Sequence, residues 1–232
     1  MTRPRIAVPG RFTESASALR YRGLVNSRML LQAVWSAGGD PITLLPGQDA
    51  DALDWPSRLD GIHGVLLPGG GDVIPTRYGG RADDPSLYDM DAVQDESDFT
   101  LAAYALAHGI PLLAVCRGLH VVNALRGGTL VVDMEVHHRH HVHVVPLDDP
   151  TDHLGIGASS VTASCYHHQA IDRVAESLTV LGRAADGCVE AVAIDAPGWA
   201  AGVQWHPEDT AQQDPLQLRL LQQLVARARR TQ

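Results

Sequence analysis

Lysine is absent from the 232 residues, and all 18 basic side chains are arginine. A P-loop lysine, a Schiff-base lysine and a Ser–Lys dyad are therefore excluded. Cysteine is scarce: Cys116, Cys165 and Cys188 are widely spaced. Without a CxxC pair there is neither a zinc ribbon nor a thioredoxin-type site. No apolar run approaches the ~20 residues of a membrane span. Met1–Gly10 carries Arg3 and Arg5 but no apolar stretch leading to a cleavage site, so a cytoplasmic protein with no membrane partner is expected. Positive charge is outweighed by 27 acidic residues, for a net charge of -9. That balance argues against a nucleic-acid partner. With 45% hydrophobic and 19% charged residues, the chain is neither disordered nor a coiled coil. Its length suffices to bury a core without staples, and one domain over 1–232 is expected.

Short apolar runs alternate with amphipathic stretches through the first half. Arg5–Gly10, Pro41–Pro46, Gly64–Pro68 and Pro111–Val115 read as buried strands. Helices are predicted over Tyr21–Ala37, closed by Gly38-Gly39, over Val93–His108, ended by Gly109, and over Gly118–Leu125. Such strand–helix repetition means βαβ units and a parallel sheet covered on both faces. The second half differs. Val142–Leu147, Leu178–Ala184, Val189–Ile194 and Ala200–Trp205 are strand-like at hairpin spacing, and Asp186-Gly187 is a turn signal. Pro215–Arg229 closes the chain as a helix. The fold class expected is α/β, doubly wound and mostly parallel, with an antiparallel extension.

Cys116 stands directly after a buried strand and directly before a helix, in AVCRGLH. Open α/β sheets bind ligands at the carboxyl ends of their strands. A residue on that turn is held as in a nucleophile elbow, and the helix N-terminus and Arg117 both favour a thiolate. A general base is then needed. In QWHPE, His206 ends a strand and Glu208 follows two residues on, with Pro207 fixing the backbone between them. Cysteine, histidine and carboxylate together form a triad in which the base activates the thiol and the carboxylate orients the imidazole. Gly69-Gly70-Gly71 follows a third strand and lets backbone N–H groups converge on a small anion. The GxGxxG spacing of a dinucleotide site is missing.

Four segments carry a resemblance: LDGIHGVLLPGGGDVIPTRYG, GIPLLAVCRGLHVVNALRGGTLVVDM, YHHQAI and DGCVEAV with AAGVQWHPE. In this order they resemble the class I glutamine amidotransferase superfamily, most closely the γ-glutamyl-γ-aminobutyrate hydrolases. The resemblance implies a flavodoxin-like fold and hydrolysis of a γ-glutamyl amide through a glutamyl thioester. It implies Cys116 as nucleophile, His206 as base and Glu208 as orienting carboxylate. The backbone N–H groups of Arg117 and of Gly70 or Gly71 would hold the oxyanion. His120, His167, His168 and Gln169 are the expected substrate-binding residues. No cofactor and no metal are implied. The expected partner is a small γ-glutamyl substrate, with room for a homodimer. A glutaminase subunit feeding ammonia to a separate synthase, and a binding protein with a decayed site, are the competing readings.

The chain departs from the family pattern at several places. His120 replaces a glutamine four residues after the nucleophile. Ser164 and Cys165 stand where Asn-Ser is usual, Ile74 replaces an aspartate, and Gln94, Asp95 and Asp98 replace an Arg-Asp pair with a following glutamate. These changes fall where substrate would be gripped. The dense histidines His137, His138, His140, His141 and His143 read as a polar loop and strand near the site mouth rather than a metal centre. Cys165 and Cys188 are expected in the core, and Trp35, Trp55 and Trp199 in packing. Arg227, Arg229 and Arg230 suit a helix C-terminus.

Overall fold

The computed structural model describes residues 2–17, 19–136 and 138–231. In chain order its strands and α-helices are β1 (Arg5–Pro9), β2 (Arg11–Thr13), β3 (Gly23–Val25), α1 (Arg28–Ser36), β4 (Asp40–Leu44), α2 (Trp55–Arg58), β5 (Gly64–Leu67), α3 (Ala92–Ala107), β6 (Leu112–Val115), α4 (Arg117–Leu125), β7 (Leu130–Val131), β8 (His138–Pro146), β9 (Ser160–His167), β10 (Ala170–Ile171), β11 (Leu178–Arg183), β12 (Val189–Ile194), β13 (Ala200–Val203) and α5 (Pro215–Ala228).

A seven-stranded sheet runs in the order β11-β12-β13-β6-β5-β1-β4. From β13 to β4 every neighbouring pair is parallel, and β11-β12-β13 is antiparallel. The expected mostly parallel sheet with an antiparallel extension is what forms. Both faces are covered, and strand alternation sorts the side chains. Ile6, Val8, Leu66, Leu113 and Val115 pack under α1 and α5 with Leu30, Val34, Leu220 and Leu224. Ala7, Val65, Leu67, Leu112 and Ala114 pack on the other face with Leu101, Ala102, Leu119 and Val122 of α3 and α4. Each fully buried leucine or valine contributes about 1.5–3 kcal/mol, so these two layers dominate the stabilisation.

Local chemistry sets the boundaries. Ser27 caps α1, and Asp91 Oδ1 accepts from Val93 N and Gln94 N at the start of α3. The helix expected over Tyr21–Ala37 is shorter than its apolar spacing predicted. Gly23–Val25 instead pairs antiparallel with Arg11–Thr13, so Leu24 belongs to a small hairpin and the helix starts after the Ser27 cap. Asp186 and Gly187 turn the hairpin between β11 and β12, with Gly187 at φ 91. The strand expected from Val142 begins at His138, and pairs with β9, a strand not anticipated at all. His137 lies outside the described residues. Trp55 and Trp199 are buried as expected, but Trp35 is 52% exposed, with Arg3 stacked 3.8 Å above its ring.

Candidate active site

Three segments leave the carboxyl edge of the sheet side by side. Pro68–Gly71 follows β5, Cys116 follows β6, and Gln204–Glu208 follows β13. The register sets Leu67 beside Ala114 and Val203 beside Val115, so the three turns are neighbours although β13 lies far along the chain.

Cys116 forms a sharp elbow. Its backbone is at φ 50, ψ -109, a region that L-residues rarely occupy. The turn is fixed by Cys116 N donating to Val203 O at 2.8 Å and by its own carbonyl accepting from Leu119 N at 2.9 Å. Gly118 is required two residues on, because a Cβ there would lie 2.5 Å from the Leu67 carbonyl oxygen. The first turn of α4 can therefore press against β5 and aim its N-terminus at the sulfur.

His206 is positioned by its backbone N–H, which donates to Ser164 O at 2.8 Å. Its Nδ1 meets Glu208 Oε1 at 2.9 Å. Gly69 lies against the ring: a Cβ on it would come within 2.7 Å of His206 Cε1. Burial disfavours a charge on this imidazole. The Cys116 sulfur, as a charge and as a hydrogen-bond partner, and the Glu208 carboxylate together outweigh burial and raise its pKa well above the ordinary value. Cys116, His206 and Glu208 thus lie together at this edge of the sheet.

A second chain of contacts reaches the sulfur, and the sequence reading missed its middle member. His120 Nε2 lies 2.7 Å from Gln204 Oε1, and Gln204 Nε2 donates to Cys116 Sγ at 3.7 Å. With the Gln204 oxygen as acceptor, His120 carries its proton on Nε2. Burial pushes the His120 pKa down to about 4, so the ring is neutral. Gln204 and His206 are two residues apart, which in an extended segment puts them on one face. That spacing was available in QWHPE.

The glycine loop is anchored by charge. Arg11 donates from Nε to Gly69 O at 3.0 Å and from an Nη to Pro68 O at 2.9 Å. The same guanidinium pairs with Asp98 at 2.6 Å, and Arg117 pairs with both Asp98 and Asp95. Asp95 also accepts from Ile74 N at 2.8 Å. Burial of Asp98 opposes its charge, but the two guanidiniums outweigh that and hold its carboxyl below the usual range. Asp95 and Asp98 therefore build a buried ion network that fixes both halves of the expected oxyanion site.

Gly70, Gly71, Cys116, Arg117, His120, His167, His168 and Gln169 all line one recess. An adjoining cleft of about 490 Å³ carries His206 and Glu208 on its wall, with Arg11, His140 and Tyr166. His168 is held between two carboxylates, Asp72 and Asp133, each at 2.9 Å. Asp72 in turn accepts from Tyr88 N at 2.9 Å. His167 turns Nδ1 to Gln169 O at 2.9 Å. Cys165 and Cys188 are buried as expected. Among the described residues no helix is long and apolar enough to cross a membrane.

Comparison with known proteins identifies the family. The family model described as peptidase C26 matches residues 4–208. A Mycobacterium tuberculosis protein named "putative glutamine amidotransferase" is 33% identical over 207 residues, covering 84% of this chain but only 64% of its own length. The Escherichia coli K12 γ-glutamyl-γ-aminobutyrate hydrolase is 32% identical over 201 residues, covering 77% of this chain and 76% of that protein. The crystal structure of a "putative gmp synthase subunit a protein" from Thermoplasma acidophilum superposes with a TM-score of 0.69 at 16% identity, covering 99% of this chain and 96% of that one. That likeness concerns the fold.

Proposed function

The chain belongs to the peptidase C26 family of class I glutamine amidotransferase-like hydrolases, and we propose that it cleaves the γ-glutamyl amide bond of a γ-glutamyl-amine metabolite. The observation that carries this reading is His206 standing between Cys116 and Glu208 at the open edge of the sheet.

His206 takes the proton of the Cys116 thiol, which gives a thiolate–imidazolium pair. The Cys116 sulfur attacks the γ-carbonyl carbon, and the negative charge moves to the carbonyl oxygen. Backbone N–H groups of Arg117 and of Gly70 or Gly71 receive that oxyanion, each such donor being worth about 2.7–4 kcal/mol. As the tetrahedral adduct collapses, His206 gives its proton to the leaving nitrogen, the C–N bond breaks, and the amine departs. The glutamyl group is left as a thioester on Cys116. His206, now neutral, takes a proton from water. The resulting hydroxyl attacks the thioester, releasing glutamate and restoring the thiolate and the imidazolium. Glu208 holds the ring so that Nε2 faces the reacting atoms throughout. His120, His167, His168 and Gln169 line the recess where the glutamyl head would sit.

The test is a panel of γ-glutamyl amines and glutamine, read as released glutamate from the protein alone. Turnover of γ-glutamyl amines with weak activity on glutamine is expected. Relatives named as glutamine amidotransferases favour a second reading, a glutaminase that serves a separate synthase. Silence on the whole panel until a partner protein is added would replace the first reading with the second.

A further inference from the structure

Cys165 and Cys188 have no part in that chemistry, yet both face one buried carboxylate. Glu190 of β12 is fully buried. Its oxygens lie 3.7 and 3.8 Å from Cys165 Sγ. Its Oε1 lies 3.6 Å from Nε2 of His143 and 3.8 Å from Nε2 of His167. Cys188 contacts the same carboxylate. Strand alternation brings these groups together. Cys165 and His167 are two residues apart on β9, Cys188 and Glu190 are two residues apart at the start of β12, and His143 is on β8, paired against β9.

The donors in each half, His143–Cys165–Glu190 and His167–Cys188–Glu190, lie within 4.8 Å of one another. The imidazole–carboxylate gaps exceed the about 2.7–3.2 Å of a hydrogen bond. They approach the edges of a coordination tetrahedron instead. Zinc bonds of about 2.0–2.1 Å to nitrogen, about 2.1 Å to oxygen and about 2.3 Å to sulfur give edges of about 3.4 Å N···O and about 3.6 Å S···O. His167 is oriented for such a role, because its Nδ1–H donates to Gln169 O and turns the Nε2 lone pair toward Glu190.

We propose that Glu190 anchors a site for one zinc-type divalent ion, which takes its four donors from that carboxylate and from the Cys165–His143 and Cys188–His167 pairs that flank it. Thiol, imidazole and carboxylate together select zinc over magnesium or calcium. The ion joins the β8–β9 hairpin, which forms a sheet of its own, to β12 of the main sheet. It also sits behind the nucleophile: Glu190 O accepts from Gln204 N at 2.8 Å, and the Gln204 side chain donates to Cys116. His143 comes from the histidine-rich strand read above without a metal. The donors that complete the set lie on other strands, which spacing along the chain does not reveal.

The full chain carrying Cys116→Ala, reduced and stripped of metal, is titrated anaerobically with Co²⁺ and then competed with Zn²⁺. The alanine removes the third thiol, so any thiolate signal belongs to Cys165 and Cys188. The expected result is one equivalent bound, with a near-ultraviolet thiolate-to-cobalt charge-transfer band that Zn²⁺ abolishes and a melting temperature raised by several degrees. Cys165→Ser with Cys188→Ser should weaken binding by more than about 100-fold, whereas His141→Ala should leave it within about threefold. If the double variant fails to fold, Cys188→Ser alone and Glu190→Gln alone must each weaken binding by at least about tenfold. No band at one equivalent, or a band that survives loss of both thiols, would overturn the proposal.

Discussion

His120→Gln gives a sharp test of the site's electrostatics, because His120 is 3% exposed and its shift is large. In the unfolded chain an imidazole takes up a proton below its ordinary value of 6.5, but in the folded protein burial delays this to about 4. Between those values the unfolded state binds more protons, so stability falls as the pH is lowered through that window. Linkage puts the loss at about 2–3 kcal/mol at pH 4.5 relative to pH 8. Glutamine keeps a side-chain amide for Gln204 and carries no titratable group. The wild type should therefore lose about 2–3 kcal/mol more than the variant between the two pH values, since the other titrating groups cancel in the comparison. Urea denaturation of both proteins at pH 8 and pH 4.5 measures this directly. Parallel losses, within about 0.5 kcal/mol, would mean that His120 is not held neutral in the fold, and the contact chain through Gln204 would fall with it. On catalysis, the same substitution should change the ratio of kcat/KM for glutamine and for γ-glutamyl amines by more than about twofold, or ~0.4 kcal/mol.

Three further outcomes are expected. Cys116→Ala should lower kcat by several orders of magnitude with substrate binding largely retained, and activity above about a tenth of wild type would exclude the thioester route. His206→Asn should be nearly as damaging and Glu208→Gln milder, as steady-state kinetics on one γ-glutamyl amine will tell, because an orienting group loses less than the base it serves. Asp98→Asn leaves Arg11 and Arg117 buried without their shared carboxylate, and should cost about 3–5 kcal/mol in a urea unfolding experiment.

The parts of this molecule written in continuous apolar runs were legible in the sequence. β5 and β6 are buried on both faces, so their identity needed no knowledge of partners. The turns after them carried Gly70 and Cys116 to their places by chain direction alone. Less was legible where a residue's role depends on what lies opposite. β9 alternates buried and exposed positions, but its small and polar residues, SVTASCYH, conceal the period. Leu24 fitted a helical spacing by coincidence, and only pairing with Phe12 assigns it to a hairpin. Asp98 read as a departure from a family pattern, yet with Asp95 it binds the arginines that brace the glycine loop. Glu190 gave no signal, because its neighbours His143, Cys165 and His167 come from two other strands.

The order of the strands along the chain has a consequence for synthesis. Among the described residues β13 is the last strand along the chain, yet it occupies an interior place in the sheet, between β12 and β6. Until it inserts, Cys116 N lacks Val203 O, and the thiol has neither Gln204 nor His206 beside it. A nascent chain that has already released β6 from the ribosome therefore carries an unassisted cysteine. Closing the long loop from β6 to β13 is entropically costly and late, as non-local pairings are. Assembly of the candidate site thus coincides with insertion of β13 into the sheet.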